Sequence, residues 1–517
     1  MSARRRNVLA ALVGVVAAIV TLGAAEVMAL FISPASSPLV AVGSFVIDIV
    51  PPWVKDAAIA LFGTGDKVAL LVGLALLVTV LAALVGILEY RKPPFGAVGL
   101  ALIGVVAMVA AGTRAEASLF WALPTLVGAL LGVLVLRRGI ERLRDWQRLT
   151  PASERAAAIS RRGFVGFLAA SGGVALFAGL AARAVNASNN VVATVREALH
   201  LPTPAVPAPP VPPGAELNID GLAKLFTPNS EFYRIDTAII VPRVTSVEWK
   251  LRVVGEVENE IEIDFAELLA LPLIETYATL ACVSNEVGGG LIGNARWMGY
   301  PIRELLARAK PKAGADMVLS RSIDGFTAGT PLEVLQDENR DSILAVSMNG
   351  EPLPVEHGFP VRMVVPGLYG YVSATKWVTE LKVTRFADDE GYWTPRGWSA
   401  RGPIKMSSRI DVPSYTALVP VAQMTIAGVA WAQHTGIQAV EIRIDKDEWM
   451  PVTLATAVSD DTWVQWSTQW TPPGAKVYLI EVRAIDKNGV VQSGDYAQPA
   501  PDGSEGWHAI TIEARAE

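Results

Sequence analysis

The chain has one cysteine, Cys282, and it stands where a thiolate could do chemistry. It lies in the stretch 278–290 (ATLACVSNEVGGG), at the end of a β-like apolar run and ahead of a polar, glycine-rich turn. A thiolate is a soft ligand, suited to a soft or highly oxidised metal. Residue type alone favours a plainer reading, a buried small hydrophobe. A lone cysteine rules out an intramolecular disulfide and any cysteine-rich zinc or iron–sulfur site. A second stretch, 347–377 (SMNGEPLPVEHGFPVRMVVPGLYGYVSATKW), sets His357, Arg362 and Lys376 around an apolar strand and a glycine-rich loop. Gly367 and Gly370 allow a backbone to approach a ligand closely. Such a cluster suits an anion, a phosphate in particular. The alternative, three solvated surface residues, is opposed by the prolines and apolar residues that flank each one.

The elements that must position these residues begin near residue 217, where the pattern becomes α+β. Residues 248–257 and 361–366 read as strands, and 264–270 and 302–309 as helices. From about 415 the pattern is all β. The runs 421–431, 438–445, 462–470 and 475–486 alternate or carry β-branched and aromatic residues, separated by Gly, Pro, Asp and Asn. Short strands at such regular spacing suggest an immunoglobulin-like sandwich. Ahead of this half, residues 201–214 (LPTPAVPAPPVPPG) hold seven prolines in fourteen residues. The expectation is a stiff spacer of about 3 Å per residue that lifts the soluble part off a membrane.

That membrane follows from composition. Hydrophobic residues make up 51% and charged residues 18%, against about one quarter charged in soluble proteins. The excess is concentrated in the first 190 residues. Apolar runs at 8–31, 67–89, 95–113, 117–136 and 163–182 each approach the ~20 residues that a helix needs to span hydrocarbon. The basic residues beside them are lopsided. Arg4–Arg6, Arg91, Lys92 and eight arginines from Arg137 to Arg162 lie on one side, and Lys55, Lys67 and Arg114 on the other. The N-terminus is therefore expected inside and everything after about residue 185 outside. Residues 39–50 are too short to span and read as an interfacial segment on the outer face. Ser160–Phe164 (SRRGF) resembles a twin-arginine export signal, or else it is an ordinary basic helix flank. The first histidine in the chain is His200, so no haem with paired axial histidines is expected in the spans. Net charge is −6 and no basic stripe is present, which argues against nucleic acid as a partner.

Taken together, residues 217–515 resemble the sulfite oxidase family of molybdopterin enzymes. The resemblance rests on ordered motifs: Thr279–Asn285 (TLACVSN), Ala295–Gly299 (ARWMG), Met348–Trp377, Ile426–Trp431 (IAGVAW), Ile437–Glu441 (IQAVE) and Val482–Asp486 (VRAID). It implies that Cys282 ligates molybdenum as a thiolate, beside the dithiolene sulfurs of the pterin. It implies that His357, Arg362 and Lys376 hold the pterin and its phosphate, with Gly370 and Ser373 in the same loop. Asp324 would contact the pterin ring, Asn285 would shape the cysteine turn, Arg234 and Arg401 would orient substrate, and Tyr392 or Trp398 would stand near the metal.

The implied fold is multi-domain. A five-helix transmembrane anchor (1–190) and a proline-rich linker (191–216) lead to an α+β molybdopterin-binding catalytic domain (217–404). An immunoglobulin-like domain (405–517) follows, through which the protein would form a homodimer. The implied activity is two-electron oxygen-atom transfer on a small substrate outside the cytoplasmic membrane, with a separate electron-transfer partner.

Two departures bear on the substrate. Glu286 and Val287 stand where the family has an arginine that binds an anionic substrate. Arg234-Ile-Asp236 keeps the arginine of an Arg-Asn-His run but not its histidine. A carboxylate at the mouth repels a dianion, which argues against sulfite. A sulfoxide-type reductase using the same site and a non-catalytic cell-surface binding module are the alternative readings.

Overall fold

The computed structural model describes residues 2–51, 54, 61–62, 65–114, 117–149, 154–188 and 191–516. The chain divides into two compact units. One comprises Met1–Asn190 with Ala238–Val241, and the other Val191–Thr237 with Pro242–Glu517.

The first unit is helical. Among its described residues five helices are long and apolar enough to cross a membrane: Ala3–Ala29, Lys67–Arg91, Phe95–Gly112, Leu119–Leu149 and Arg155–Val185. The first helix is held closely by glycine contacts. A Cβ on Gly14 would fall 1.9 Å from the Ala82 carbonyl oxygen, and one on Gly86 would fall 2.1 Å from that of Ala10. Small residues let apolar helices pack at backbone contact where water offers no driving force. Leu76, Leu77, Val80 and Leu84 point outward and are exposed, as lipid-facing side chains would be. Glu26 is buried, accepting a hydrogen bond from Ser37 Oγ at 2.7 Å and pairing with Arg183 Nε at 3.5 Å. Pro38–Ile49 is a separate helix of 12 residues. Lys55 lies outside the described residues. Arg161 and Arg162 sit inside the helix Glu154–Ser188, both exposed.

The second unit opens with the helix Val191–Glu197 and the proline-rich stretch, and then alternates strands and short helices. The strands are β1 (Lys250–Gly255), β2 (Ile261–Asp264), β3 (Ile274–Ala281), β4 (Ile292–Pro301), β5 (Met317–Ser322), β6 (Thr327–Pro331), β7 (Ile343–Met348), β8 (Glu351–Pro352), β9 (Arg362–Val364) and β10 (Val378–Thr384). One sheet runs β2-β1-β10-β5-β6 and a second β3-β4-β7-β8, with β9 paired to β7. In β1, buried Leu251 and Val253 alternate with exposed Lys250 and Arg252, the period that points every second side chain at the core. One apolar core joins the sheets, holding Leu251, Val318, Leu381, Met298, Leu344 and Met363, and a second, with Leu280, Trp297, Ala345 and Val364, lies on β3, β4, β7 and β9. The helix Phe265–Ala270 starts at a capping box, in which Asp264 and Glu267 satisfy each other's backbone N–H groups.

The proline-rich stretch does not stand free as a spacer. It lies along β3, the edge strand of its sheet: Ala205 N donates to Leu273 O at 2.8 Å, Glu275 N to Val206 O at 2.8 Å, and Tyr277 OH to Pro209 O at 3.0 Å. The physical reason is the state of that edge. β3 is an edge strand with backbone groups left unpaired on one side, and the proline-rich segment meets them with its carbonyl acceptors and with the N–H groups of its non-proline residues. The helix before it is docked as well, with Arg196 donating to the Pro352 and Leu353 carbonyls.

The C-terminal region is all β: β11 (Ser407–Val412), β12 (Leu418–Pro420), β13 (Met424–Trp431), β14 (Ile437–Ile444), β15 (Met450–Pro451), β16 (Thr453–Leu454), β17 (Val464–Trp470), β18 (Val477–Asp486) and β19 (His508–Arg515). The sheets β11-β13-β17-β16 and β12-β19-β18-β14-β15 share a core of Ile426, Trp466, Val440, Ile442, Ile480 and Ile510.

Candidate active site

The cysteine turn is the ten-residue connection of an antiparallel pair, since Ala281 opposes Ile292 across β3 and β4. Cys282 N donates to Leu291 O at 2.9 Å, which extends the ladder by one bond. Asn285 ties the turn shut. Its backbone N–H donates to Cys282 O at 3.0 Å, and its side-chain oxygen accepts from Leu291 N at 2.7 Å. From the C-terminal region, Ser504 Oγ donates to Asn285 O at 2.7 Å and Arg409 Nη1 to Gly289 O at 2.8 Å. Gly288, at φ 77°, lies flat on the His508 ring, where a Cβ would come within 2.2 Å. Cys282 itself is free and buried, and burial raises its thiol pKa against hydrogen bonds from Ser284. Glu286 is exposed.

The three cationic candidates of 347–377 converge. Arg362, on β9, donates to the His357 carbonyl at 3.2 Å, and Gly358 lies against the stems of both Arg362 and Lys376. Arg362 is 5% exposed, and its remaining hydrogen bonds go to the Met363 and Ala374 carbonyls. Its guanidinium carbon lies 5.2 Å from the centre of the Trp297 ring. Among the described residues no carboxylate pairs with it, and burial depresses its pKa to about 10. His357 Nε2 is hydrogen-bonded to Asn229 O at 3.2 Å. Burial, with the charges of Arg362 and Lys376, lowers its pKa to about 3, so the ring is neutral. Lys376 precedes Trp377, which holds a left-handed backbone (φ 50°) and donates its indole N–H to Val355 O at 2.9 Å. Strain of this kind gathers at functional sites. Lys376 Nζ donates to Glu356 O at 3.1 Å and to Asp236 Oδ2 at 2.8 Å. Burial lowers its pKa to about 8, against the pull of Asp236.

Arg234 is half-exposed and pairs with the same Asp236 oxygen at 2.8 Å. Asp324 accepts from Thr237 Oγ1 at 3.5 Å and from Phe326 N at 3.1 Å. Burial raises its pKa, and Asp236 and Lys376 act on it with opposite sign. Gly370 opens the short helical turn Gly370–Val372, and a Cβ there would lie 3.8 Å from Ala281 O, which sets this loop against the cysteine turn. Ser373 turns inward, donating its hydroxyl to the Leu368 and Tyr369 carbonyls at 3.2 and 2.9 Å. Tyr392 packs beside the Asp324 turn, 5.8 Å from the Phe326 ring, with the Arg396 guanidinium 3.7 Å from its own ring centre. Trp398 lies against Tyr371, and Arg401 over Phe386.

The tyrosines that feel the charge of Cys282 are Tyr233 and Tyr369, neither of them singled out by sequence. Burial raises the pKa of both, to about 12 for Tyr369, and Tyr233 also feels Arg362. Tyr233 stacks on Phe232 at 5.2 Å, and Phe232 meets the edges of Trp297 and His357. The available signal was the aromatic pair directly before Arg234. A cleft of about 570 Å³ borders the cysteine turn, lined by Lys224, Gly288, Gly290, Arg409, Tyr415 and His508.

The chain is similar to several known proteins. Residues 238–393 match the family described as an oxidoreductase molybdopterin binding domain. An uncharacterized oxidoreductase, YuiH, of Bacillus subtilis is 34% identical over 155 residues, covering 30% of this chain and 74% of that protein. Chicken (Gallus gallus) sulfite oxidase is 26% identical over 333 residues, covering 55% of this chain and 71% of that protein. Among solved structures, the sulfane dehydrogenase SoxCD from Paracoccus pantotrophus aligns with a TM-score of 0.50 at 23% identity. It covers 56% of this chain and 81% of that one, a likeness of fold. The chain is an enzyme of the molybdopterin oxidoreductase class and belongs to the sulfite oxidase family.

Proposed function

We propose that this protein is a membrane-anchored molybdenum–pterin oxidoreductase that moves an oxygen atom to or from a small substrate outside the cytoplasmic membrane. The observation that carries this is Arg362. A guanidinium buried among carbonyls, with no carboxylate partner among the described residues, is costly unless an anion completes it. A pterin phosphate is such an anion, and the neutral His357 and the Lys376 ammonium flank the same place. In this reading His357, Arg362, Lys376, Gly370 and Ser373 hold the cofactor, Asp324 meets its ring, Asn285 fixes the turn, and Cys282 supplies the metal ligand. When bound, the molybdenum–pterin group supplies the two-electron oxygen-atom transfer. The chain positions and desolvates the reactants. Arg234 orients substrate, and the Tyr233 hydroxyl, kept protonated, donates a hydrogen bond beside Cys282. Tyr392 backs the Asp324 turn.

The remaining parts fit the same picture. The anchor occupies residues 1–190, and the catalytic domain residues 217–404 behind a connecting segment of 191–216. The paired C-terminal sheets of 405–517 form an immunoglobulin-like sandwich that serves as a homodimer contact. The arginine bias keeps the N-terminus inside and the enzyme outside, delivered folded and loaded through the Ser160–Phe164 signal. Residues 1–199 contain no histidine, so the anchor is assigned no bis-histidine haem, and electrons pass singly to or from a separate carrier. Metal analysis and pterin fluorescence on the purified protein are expected to give molybdenum in near-unit ratio. Cys282→Ser is expected to abolish turnover while retaining pterin; full activity in that variant would refute the thiolate assignment.

A further inference from the structure

Asp236 has an unusual position for a carboxylate at an oxyanion-handling site. Its side chain is 4% exposed, and one oxygen, Oδ2, receives both Lys376 Nζ and Arg234 Nε at 2.8 Å. Burying a carboxylate is costly unless cations and donors complete it, and two cations meet Asp236. Of these two cations Arg234 is half-exposed and Lys376 is buried. A second carboxylate, Asp324, is close enough to feel both Asp236 and Lys376. His357 is neutral, and the exposed charge on the cysteine turn, Glu286, is negative. The cluster therefore has three cations, Arg234, Lys376 and Arg362, against Asp236 and Asp324. Arg362, the one without a carboxylate partner among the described residues, and Lys376 are assigned above to the cofactor, which leaves Arg234 to face substrate, and Arg234 is paired with Asp236. Among these three described cations no uncommitted positive charge is left for a doubly charged substrate.

We propose that Asp236 is a specificity-determining residue, which neutralises Arg234, the cation assigned to substrate, and so directs the site to an uncharged sulfur–oxygen or nitrogen–oxygen substrate in place of a dianion. The proposal rests on the molybdenum–pterin reading above. Asp236 acts through its two partners, which it holds in place and cancels in charge. Close charges in a partly buried site interact far more strongly than in water, so removing the carboxylate's charge while keeping its shape frees Arg234 for an anion.

The test uses the full-length, molybdenum-loaded protein as wild type, Asp236→Asn and Asp236→Glu. Two inert probes share tetrahedral sulfur geometry and differ in charge: inorganic sulfate and dimethyl sulfone. Binding of each is measured by calorimetry and ligand-observed NMR, with molybdenum and pterin content determined on the same samples. Sulfate affinity is expected to rise about tenfold or more in Asp236→Asn and to stay within about twofold of wild type in Asp236→Glu. Dimethyl sulfone affinity is expected to stay within about twofold in all three. Equal sulfate affinity in wild type and Asp236→Asn would overturn the proposal. So would parallel changes in the Asn and Glu variants, or loss of molybdenum from Asp236→Asn alone, which would assign the residue to cofactor retention. Wild-type protein without molybdenum would instead defeat the functional reading on which this rests.

Discussion

The backbone of Gly358 lies so close to Arg362 that a Cβ on the glycine would stand 2.9 Å from the arginine's own Cβ, and 3.2 Å from that of Lys376. Gly358 also has φ 113°, a conformation that side chains rarely adopt. One residue thus sets the spacing of the cationic cluster. Gly358→Ala is expected to push Arg362 and Lys376 apart and to destabilise the protein by about 2 kcal/mol, the scale of overpacking a filled site. Pterin fluorescence should fall with it. A variant that keeps full cofactor and an unchanged melting temperature would show that the spacing is not required.

Arg362 makes a prediction with two signs. Exchanging it for methionine removes a buried charge at similar length. In cofactor-free protein this should be neutral or stabilising by about 1 kcal/mol, because a desolvated cation is replaced by an apolar group. In the same variant cofactor retention should drop at least about tenfold, given the strength of charge-assisted bonds to phosphate. Denaturant midpoints of the cofactor-free protein and pterin content of the loaded protein check the two halves separately.

His508 accepts the Ile410 N–H on Nδ1 at 2.9 Å and supports the glycines of the cysteine turn. Burial, and then the charge of Arg409, lower its pKa from 6.5 to about 4. Above pH 6.5 the imidazole is neutral in folded and unfolded chains alike, and its contribution to stability is complete. Between 6.5 and about 4 only the unfolded chain takes up the proton, so stability falls with decreasing pH by up to about 1.4 kcal/mol per unit. His357 acts in the same direction, down to about 3. His508→Asn keeps an acceptor that does not titrate. Its loss of stability from pH 7 to pH 5, followed by chemical denaturation, should be about 2 kcal/mol smaller than that of wild type.

Much of this was legible in the chain because the signals are local. Strand runs such as 475–486 and the capped helix at Asp264 follow from side-chain period and one reciprocal cap, and they coincide with β18 and Phe265–Ala270. The grouping of His357, Arg362 and Lys376 was legible from their common flanks. What was not legible depends on contacts distant in sequence. Tyr392 packs beside the Asp324 turn, and the tyrosines that feel the charge of Cys282 include Tyr233, some fifty positions upstream, carried there by a segment that lacks regular structure. Ser373 keeps its place in the loop, yet its hydroxyl closes the loop on itself. Gly358 reads as an unremarkable turn residue until the stems on either side of it are seen. The proline-rich stretch has the composition of a tether, and composition cannot report that an edge strand seventy residues later has bare N–H groups.

That last feature bears on how the protein can be divided. A boundary drawn by composition would cut the chain inside 201–214 and discard what precedes it. The fragment released would leave without the flank that pairs with the start of Ile274–Ala281, the strand that delivers Cys282, and would offer the backbone of Leu273 and Glu275 to any neighbouring molecule. The severable point lies upstream of Val191, so the stretch that looks most expendable is part of the enzyme.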